Sequence, residues 1–217
     1  MTTPHSAELL HSTPDGDQLV AYMARVSNPA NQNKERCSKT LINYLIKHKH
    51  WSPFEMVNMC VEINTTRSIA AQLLRHRSFS FQEFSQRYSD VHNLGNPILP
   101  HLRRQDVDNR QNSIDDINHH DQQEWLRLIK DHTDRGMRIY DQMLAAGIAK
   151  ECAREVLPLS IPSRLYMNGN LRSWIHYCQL RCSLDTQKEH RTIAKQIKML
   201  IKQEFPLIYE ASEKYMS

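Results

Sequence analysis

Apolar positions recur along the chain with two different periods, and each change of period marks an element. Leu19, Val20, Tyr22 and Met23 follow the turn-like Thr13-Pro14-Asp15-Gly16-Asp17 at helical spacing. They predict a helix to about Ser27, stopped by Asn28-Pro29 because the residue before proline avoids helical angles. A second helix is predicted over about Lys34 to His48, with Leu41, Tyr44, Leu45 and Ile46 as its apolar stripe. Trp51-Ser52-Pro53-Phe54-Glu55 reads as a boundary, with Ser52 as N-cap and Pro53 at the first helical position. The period then drops to two: Val57, Met59, Val61 and Ile63 alternate with Asn58, Cys60, Glu62 and Asn64, the clearest strand pattern in the sequence. From Thr65 to Arg75 the helical period returns, with Ile69, Ala70, Leu73 and Leu74 facing inward.

From His92 to Gln123 the chain is polar and rich in Asn, Asp, Arg and Gln, which predicts a long loop or lid with at most a short helical turn. Helix resumes from about Gln122 to Ala146, followed by a short helix from Ala149 to Glu155 and a strand near Ser163 to Met167. Helices over about Leu171 to Cys182 and Asp185 to Gln203, and a last one from Pro206, complete the pattern. No repeat or linker interrupts it, so a single domain over residues 1–217 is expected.

Composition narrows the function class. The 217 residues are 40% hydrophobic, enough for a substantial core. Five Gly, nine Pro and 24% charged residues exclude a collagenous chain and a disordered polyelectrolyte. A net charge of +4 suits an anionic ligand such as a phosphate and falls short of the dense basic stripe of a duplex binder, so no nucleic-acid partner is expected. The five cysteines, Cys37, Cys60, Cys152, Cys178 and Cys182, form no CxxC pair. Met1 to Leu10 has no signal pattern and no apolar run approaches a membrane span. A cytoplasmic protein with reduced thiols and no membrane partner is expected. Cys178 and Cys182 are four apart on a predicted helix and read as a packed pair before a metal site.

The candidate chemistry begins where the Thr65 to Arg75 helix ends. Gln72 and Arg75 share a face, and Arg75-His76-Arg77 crowds cationic groups together, which favours an intervening anion. Guanidinium forks hold phosphate in paired hydrogen bonds. A basic helix end favoured by the dipole is an equal alternative from these residues alone. In extended chain Glu83, Ser85 and Arg87 would project the same way, interleaved with Phe79, Phe81, Phe84 and Tyr88, which could stack on a planar ring. An amphipathic hairpin and a single-strand nucleic-acid surface both remain open.

The segment Arg75-His76-Arg77-Ser78-Phe79-Ser80-Phe81-Gln82-Glu83-Phe84-Ser85-Gln86-Arg87-Tyr88 resembles the signature of the flavin-dependent thymidylate synthases, Arg-His-Arg-x-x-Ser-x-Asn-Glu-x-Ser-x-Arg-Tyr. It departs once, with Gln82 in the Asn position. The similarity extends over roughly Leu19 to Ile197, through Ala24-Arg25-Val26-Ser27, His48-Lys49-His50-Trp51-Ser52-Pro53-Phe54-Glu55, Ala153 to Leu159, Asn170-Leu171-Arg172-Ser173 and Leu180-Arg181. The stretch His92 to Gln123 matches poorly, and Asp185 stands where many members carry His.

The resemblance implies an α+β fold like that of the thymidylate synthase-complementing proteins, with a twisted, mainly antiparallel sheet flanked by helices. It implies a homotetramer with shared active sites that converts dUMP to dTMP, using FAD reduced by NADPH, with methylenetetrahydrofolate as carbon donor. By matching position, Ser27, His50, Ser52, Glu55, Arg75, His76, Arg77, Asn170, Arg172 and His176 would hold flavin and folate. Gln72, Arg75, Glu83, Phe84, Ser85, Gln86, Arg87, Arg154 and Arg181 would bind dUMP, with Arg181 the catalytic group against the uracil. No cysteine nucleophile and no metal are then required, and Ser85 reads as a ligand. Trp174 and Tyr177 read as core or subunit contact. The Gln82 and Asp185 departures keep a related pyrimidine nucleotide methylase or hydroxymethylase as an alternative. A non-catalytic single-strand binder is the alternative from another class.

Overall fold

The computed structural model describes residues 4–32 and 38–216; the expected helix start at Lys34, and Cys37, lie outside them. The elements in order are β1 (Ser6–Ser12), α1 (Gly16–Ala24), α2 (Ser38–Lys47), β2 (Asn58–Thr66), α3 (Arg67–Leu73) and β3 (Ser80–Glu83). There follow β4 (Arg104–Gln105), β5 (Ser113–Ile114), α4 (His119–Ala145), α5 (Lys150–Ala153), β6 (Pro162–Asn170), α6 (Leu171–Arg181), α7 (Lys188–Glu204) and α8 (Pro206–Met216). The fold is mixed α and β, with an antiparallel four-stranded sheet in the order β1-β2-β6-β3 and a small hairpin of β4 and β5.

Side-chain caps decide where several helices begin. Thr66 Oγ1 accepts from Ile69 N at 3.4 Å, so α3 starts only at Arg67 while Thr65 and Thr66 extend β2. Asn118 Oδ1 accepts from Asp121 N at 2.9 Å and starts α4 at His119, ahead of the expected Gln122. Ser52 is not a cap: it opens a 3-10 turn, Ser52–Met56, whose cap position is Trp51.

Contacts group the chain into two compact units. The first comprises Met1–His5, Asn64–Arg75 and Gln82–Leu165; the second comprises Ser6–Ile63, His76–Phe81 and Tyr166–Ser217. In the second unit α2 packs on α8, α7 on β1, and α6 and α8 on α7. The alternation in β2 buries Met59, Val61 and Ile63 as predicted, beside Trp174, whose indole N–H is satisfied by Met59 O at 3.0 Å. In α2 the buried stripe is Ile42, Leu45 and Ile46; Tyr44, expected inside, is exposed. Asp17 of α1, though buried, accepts from Leu207 N at 2.9 Å and Ile208 N at 3.2 Å, capping α8. A side chain at Gly16 would stand 2.4 Å from the Phe205 ring, so only glycine lets α1 approach that ring.

In the first unit Val91, Tyr140, Ala153 and Ile161 form a core under α4 and α5. Ile69, Ala70 and Leu73 of α3 are buried, but Leu74 is exposed because the helix has already ended. The polar stretch 92–123 holds more order than predicted: the end of a 3-10 turn, Val91–Leu94, and the β4–β5 hairpin. The hairpin loop closes on Asp106, which accepts from Asp108 N at 2.9 Å, Asn109 N at 3.2 Å and Asn112 Nδ2 at 2.7 Å.

Candidate functional site

In the second unit the residue that organises its neighbours is Arg181, the last residue of α6. Its Nε donates to His76 Nε2 at 3.0 Å. A guanidinium only donates, so His76 must offer a lone pair at Nε2; the ring is neutral with its proton on Nδ1. The Tyr177 ring stands edge-on to His76 at 5.0 Å, and the Tyr177 hydroxyl lies 3.1 Å from His190 Nε2. His190 is fully buried, and burial, followed by the nearby Arg181 charge, pushes it down to about 3, so it stays neutral. His76, Tyr177 and His190 thus give Arg181 an uncharged, well-packed support.

The other residues that the resemblance assigned to flavin and folate fall in this unit too, save Arg75. Arg172 is ion-paired with Glu55. His176 stands edge-on to Trp51 at 4.7 Å and is held below its usual value by burial and then by Arg172. Ser27, His50, Ser52 and Arg77 are exposed. His50 follows Lys49, which adopts a left-handed φ of 58°. The α2 end is closed by His50 N to Leu45 O at 2.8 Å and Lys49 N to Ile46 O at 3.1 Å, a Schellman motif that fixes where His50 leaves the helix. Asn170 has a structural task, since its Oδ1 caps α6 by accepting from Ser173 N at 2.9 Å. Phe79, expected as a stacking surface, is instead packed against Gly169 and Trp174, ring centroids 4.6 Å apart for the latter. Asn168 Oδ1 is buried without a hydrogen-bond partner among the described residues.

The first unit holds Gln72, Arg75, Glu83, Phe84, Ser85, Gln86, Arg87 and Arg154, the predicted nucleotide set without Arg181. The expected same-side projection of Glu83, Ser85 and Arg87 is not found. β3 ends at Glu83, and Tyr88 N and Ser89 N donate to Ser85 O at 3.1 and 2.9 Å, turning the chain. Glu83 is fixed by Ser163 Oγ at 2.8 Å and by Arg67 Nη1 at 2.5 Å. Arg87 reaches Glu151 Oε2 with both Nε and Nη2 at 3.0 Å. Phe84 N donates to Arg164 O at 2.8 Å, and Arg154 lies 3.5 Å from Glu155. Arg75 is exposed just past the end of α3, with Gln72 one turn back.

Sequence reasoning missed Arg67, Ser163, Glu151 and His190, and it read Tyr177 as core or subunit contact without its link to His190; these groups hold the predicted residues in place. Their partners are distant in sequence, and no spacing rule pairs Glu83 with Ser163 or Arg87 with Glu151. The buried polar tip of Tyr177 was the available signal, since a buried phenol seeks a partner.

A sequence profile of the thymidylate synthase complementing protein family matches residues 8–207. The chain belongs to this family. A probable flavin-dependent thymidylate synthase of Paramecium bursaria Chlorella virus 1 is 49% identical over 195 residues, covering 90% of this chain and 89% of the relative. The flavin-dependent thymidylate synthase of a Synechocystis species is 48% identical over 201 residues, covering 93% and 90%. Among solved structures, the UMP/dUMP methylase PolB of Streptomyces cacaoi bound to 5-Br UMP superposes with a TM-score of 0.84 at 29% identity, over 99% of this chain and 96% of that one. Its complex with 5-Br dUMP gives 0.82 at 27%, over 97% and 95%. Family membership thus spans both units and all the predicted site residues.

Proposed function

We propose that this chain is a flavin-dependent thymidylate synthase, a methyltransferase that makes dTMP from dUMP with methylenetetrahydrofolate as carbon donor and NADPH as reductant. The observation that carries the reading is Arg181, locked by His76 in the second unit, within a chain nearly half identical to enzymes of that name.

The residues of the second unit suit FAD. Arg77, His50, Ser52 and Ser27 put cationic and hydroxyl donors on its surface, matched to a pyrophosphate, and Asn168 Oδ1 is a buried acceptor awaiting a donor. Arg75, His76, Arg77, His50 and Ser52 would hold the cofactor; Glu55, Arg172, His176 and Asn170 would complete the flavin and folate positions. A bound flavin supplies hydride chemistry that side chains lack. In the first unit Arg75, Arg87 and Arg154 would meet the phosphate of dUMP, Arg87 exchanging Glu151 for it. Gln72, Ser85, Gln86 and the backbone of Phe84 would position sugar and base, and Glu83 would act from the place that Arg67 and Ser163 give it.

Arg181 would face the uracil. Uracil must gain electrons at carbon 6 before carbon 5 can take a one-carbon unit; that gain puts negative charge on the ring oxygens, and a guanidinium fixed through Nε would stabilise the charge without reorganising. Its support is neutral, so its positive charge is not competed for locally. The enzyme would act in the cytoplasm as a homotetramer with shared sites; no described helix is long and apolar enough to cross a membrane.

A second reading, action on UMP as well as dUMP, is favoured by the PolB likeness and by Gln82 in the Asn position. Purified protein should be yellow, with flavin absorbance. Product mass spectrometry with dUMP, UMP and dCMP then separates the readings. Methylation of dUMP alone supports the thymidylate synthase, comparable methylation of UMP supports the broader methylase, and a hydroxymethyl product or no bound flavin overturns the assignment.

A further inference from the structure

A cavity of ≈ 210 Å³ lies among α6, α7 and α8 in the second unit; Cys178, Cys182, Lys198, Tyr209 and Glu213 line it, and none of its lining residues is assigned above to flavin, folate or nucleotide, although Cys182 directly follows Arg181. A water occupies about 30 Å³ of liquid, so the space takes the reactive end of a small organic molecule. Cys178 is buried in α6, and Cys182, half-buried, follows at the C-cap on the same face, close enough for the two thiols to share a hydrogen bond. Lys198 reaches into the cluster from α7 and is bridged to Glu213 of α8 at 2.7 Å.

The two thiols have unequal roles. The Cys178 S–H has the Ala194 carbonyl as a weak acceptor at 3.9 Å and the Cys182 sulfur as an alternative; a thiolate is the stronger acceptor of the two. The hydrogen bond from Cys178 brings Cys182 down to about 7 despite its burial, with Lys198 and Lys195 of α7 assisting and Glu213 opposing. The same bond, and then burial, push Cys178 well up. Cys178 is therefore the proton holder and Cys182 the nucleophile. Thiols whose pKa lies near ambient pH are the fastest attackers of disulfides.

We propose that Cys182 is a thiol-modification site, forming a mixed disulfide in this cavity with a low-molecular-weight disulfide that carries carboxylate groups. The Cys182 thiolate attacks one sulfur of the small disulfide. The S–S bond of that molecule breaks, a new S–S bond forms to Cys182, and the departing thiolate takes up the proton that Cys182 gave to solvent. The small disulfide is the oxidant and is half-reduced to thiol; no other reagent is needed. Lys198 is partly neutralised by Glu213, but with Lys195 the lysines around Cys182 outnumber that carboxylate, and the excess positive charge favours carboxylates on the incoming molecule.

The test uses the full-length native protein with glutathione disulfide at pH 7, acid quenching, and peptide mass mapping over time. Cys182 should be labelled before Cys60, Cys152 and Cys178, roughly three- to sixfold faster than a free cysteine thiol. Its rate should rise through a midpoint near pH 7, and Lys198→Met should move that midpoint upward and slow the reaction. Cys178→Ala should do the same, keeping the attacking sulfur but removing its donor. Glutathione disulfide should outpace neutral 2-hydroxyethyl disulfide by more at Cys182 than at free cysteine. Labelling of exposed Cys152 ahead of Cys182, or a midpoint at the ordinary thiol value of about 8.5, overturns the proposal.

Discussion

His190 lies fully buried against Tyr177 and cannot take up a proton without losing that environment. Its folded-state pKa is depressed from 6.5 to about 3. The unfolded chain binds a proton there through that interval while the folded chain does not. The contribution of a neutral His190 is complete above pH 6.5 and is lost as pH falls toward 3, at up to about 1.4 kcal/mol per pH unit. Urea unfolding of wild type and His190→Asn, compared between pH 7 and pH 4.5, should show the wild-type stability falling more steeply; parallel pH dependence would contradict the burial argument. Lys49 is a second residue under constraint, with a φ of 58° at the helix end. Lys49→Gly removes a left-handed penalty of about 1 kcal/mol and should raise the denaturation midpoint. At the site itself, Arg181→Ala should lower kcat by at least ~10²-fold with the circular dichroism spectrum unchanged, the loss expected for one preorganised group facing developing charge.

At the scale of elements, α6 carries the account: Asn170 caps it, Arg172 and His176 lie on its first turns, Trp174 and Tyr177 anchor it, and Arg181 ends it. Phe79 of the signature segment rests on Gly169, just before that helix, where an added Cβ would stand 2.4 Å from the ring. Gly169→Ala should cost about 1–3 kcal/mol by overpacking and displace Phe79 from Trp174, seen as a changed near-ultraviolet spectrum. This contact also shows what the sequence left hidden. The β2 strand and the long helices were legible because their buried positions repeat at fixed spacing, as Met59, Val61 and Ile63 do. The strands β1, β3, β4 and β5 were not, because β1 is half-exposed, the other three are brief as well, and pairing rather than pattern defines them. Phe79 looked like a ligand platform because aromatic residues next to cations read the same way whether they meet a base or a glycine in the next strand.

At the scale of the whole chain, the predicted site residues divide between the two units almost by ligand: the nucleotide set in the first, the flavin and folate set in the second, with Arg75 and Arg181 as the exceptions. Which residues are candidates was legible, through an extended motif and scattered matches. How they are held was not. Arg67 and Ser163 on Glu83, Glu151 on Arg87, and His76 on Arg181 are contacts across long sequence separations that no single-sequence rule pairs. The central claim, reductive methylation of dUMP, is tested most directly by product mass. Under anaerobic conditions the protein, with FAD, NADPH, methylenetetrahydrofolate and dUMP, should yield dTMP over many turnovers, with the methylene carbon and one hydrogen from the reductant added to carbon 5. Unchanged dUMP, with the flavin bound and reduced, would contradict it.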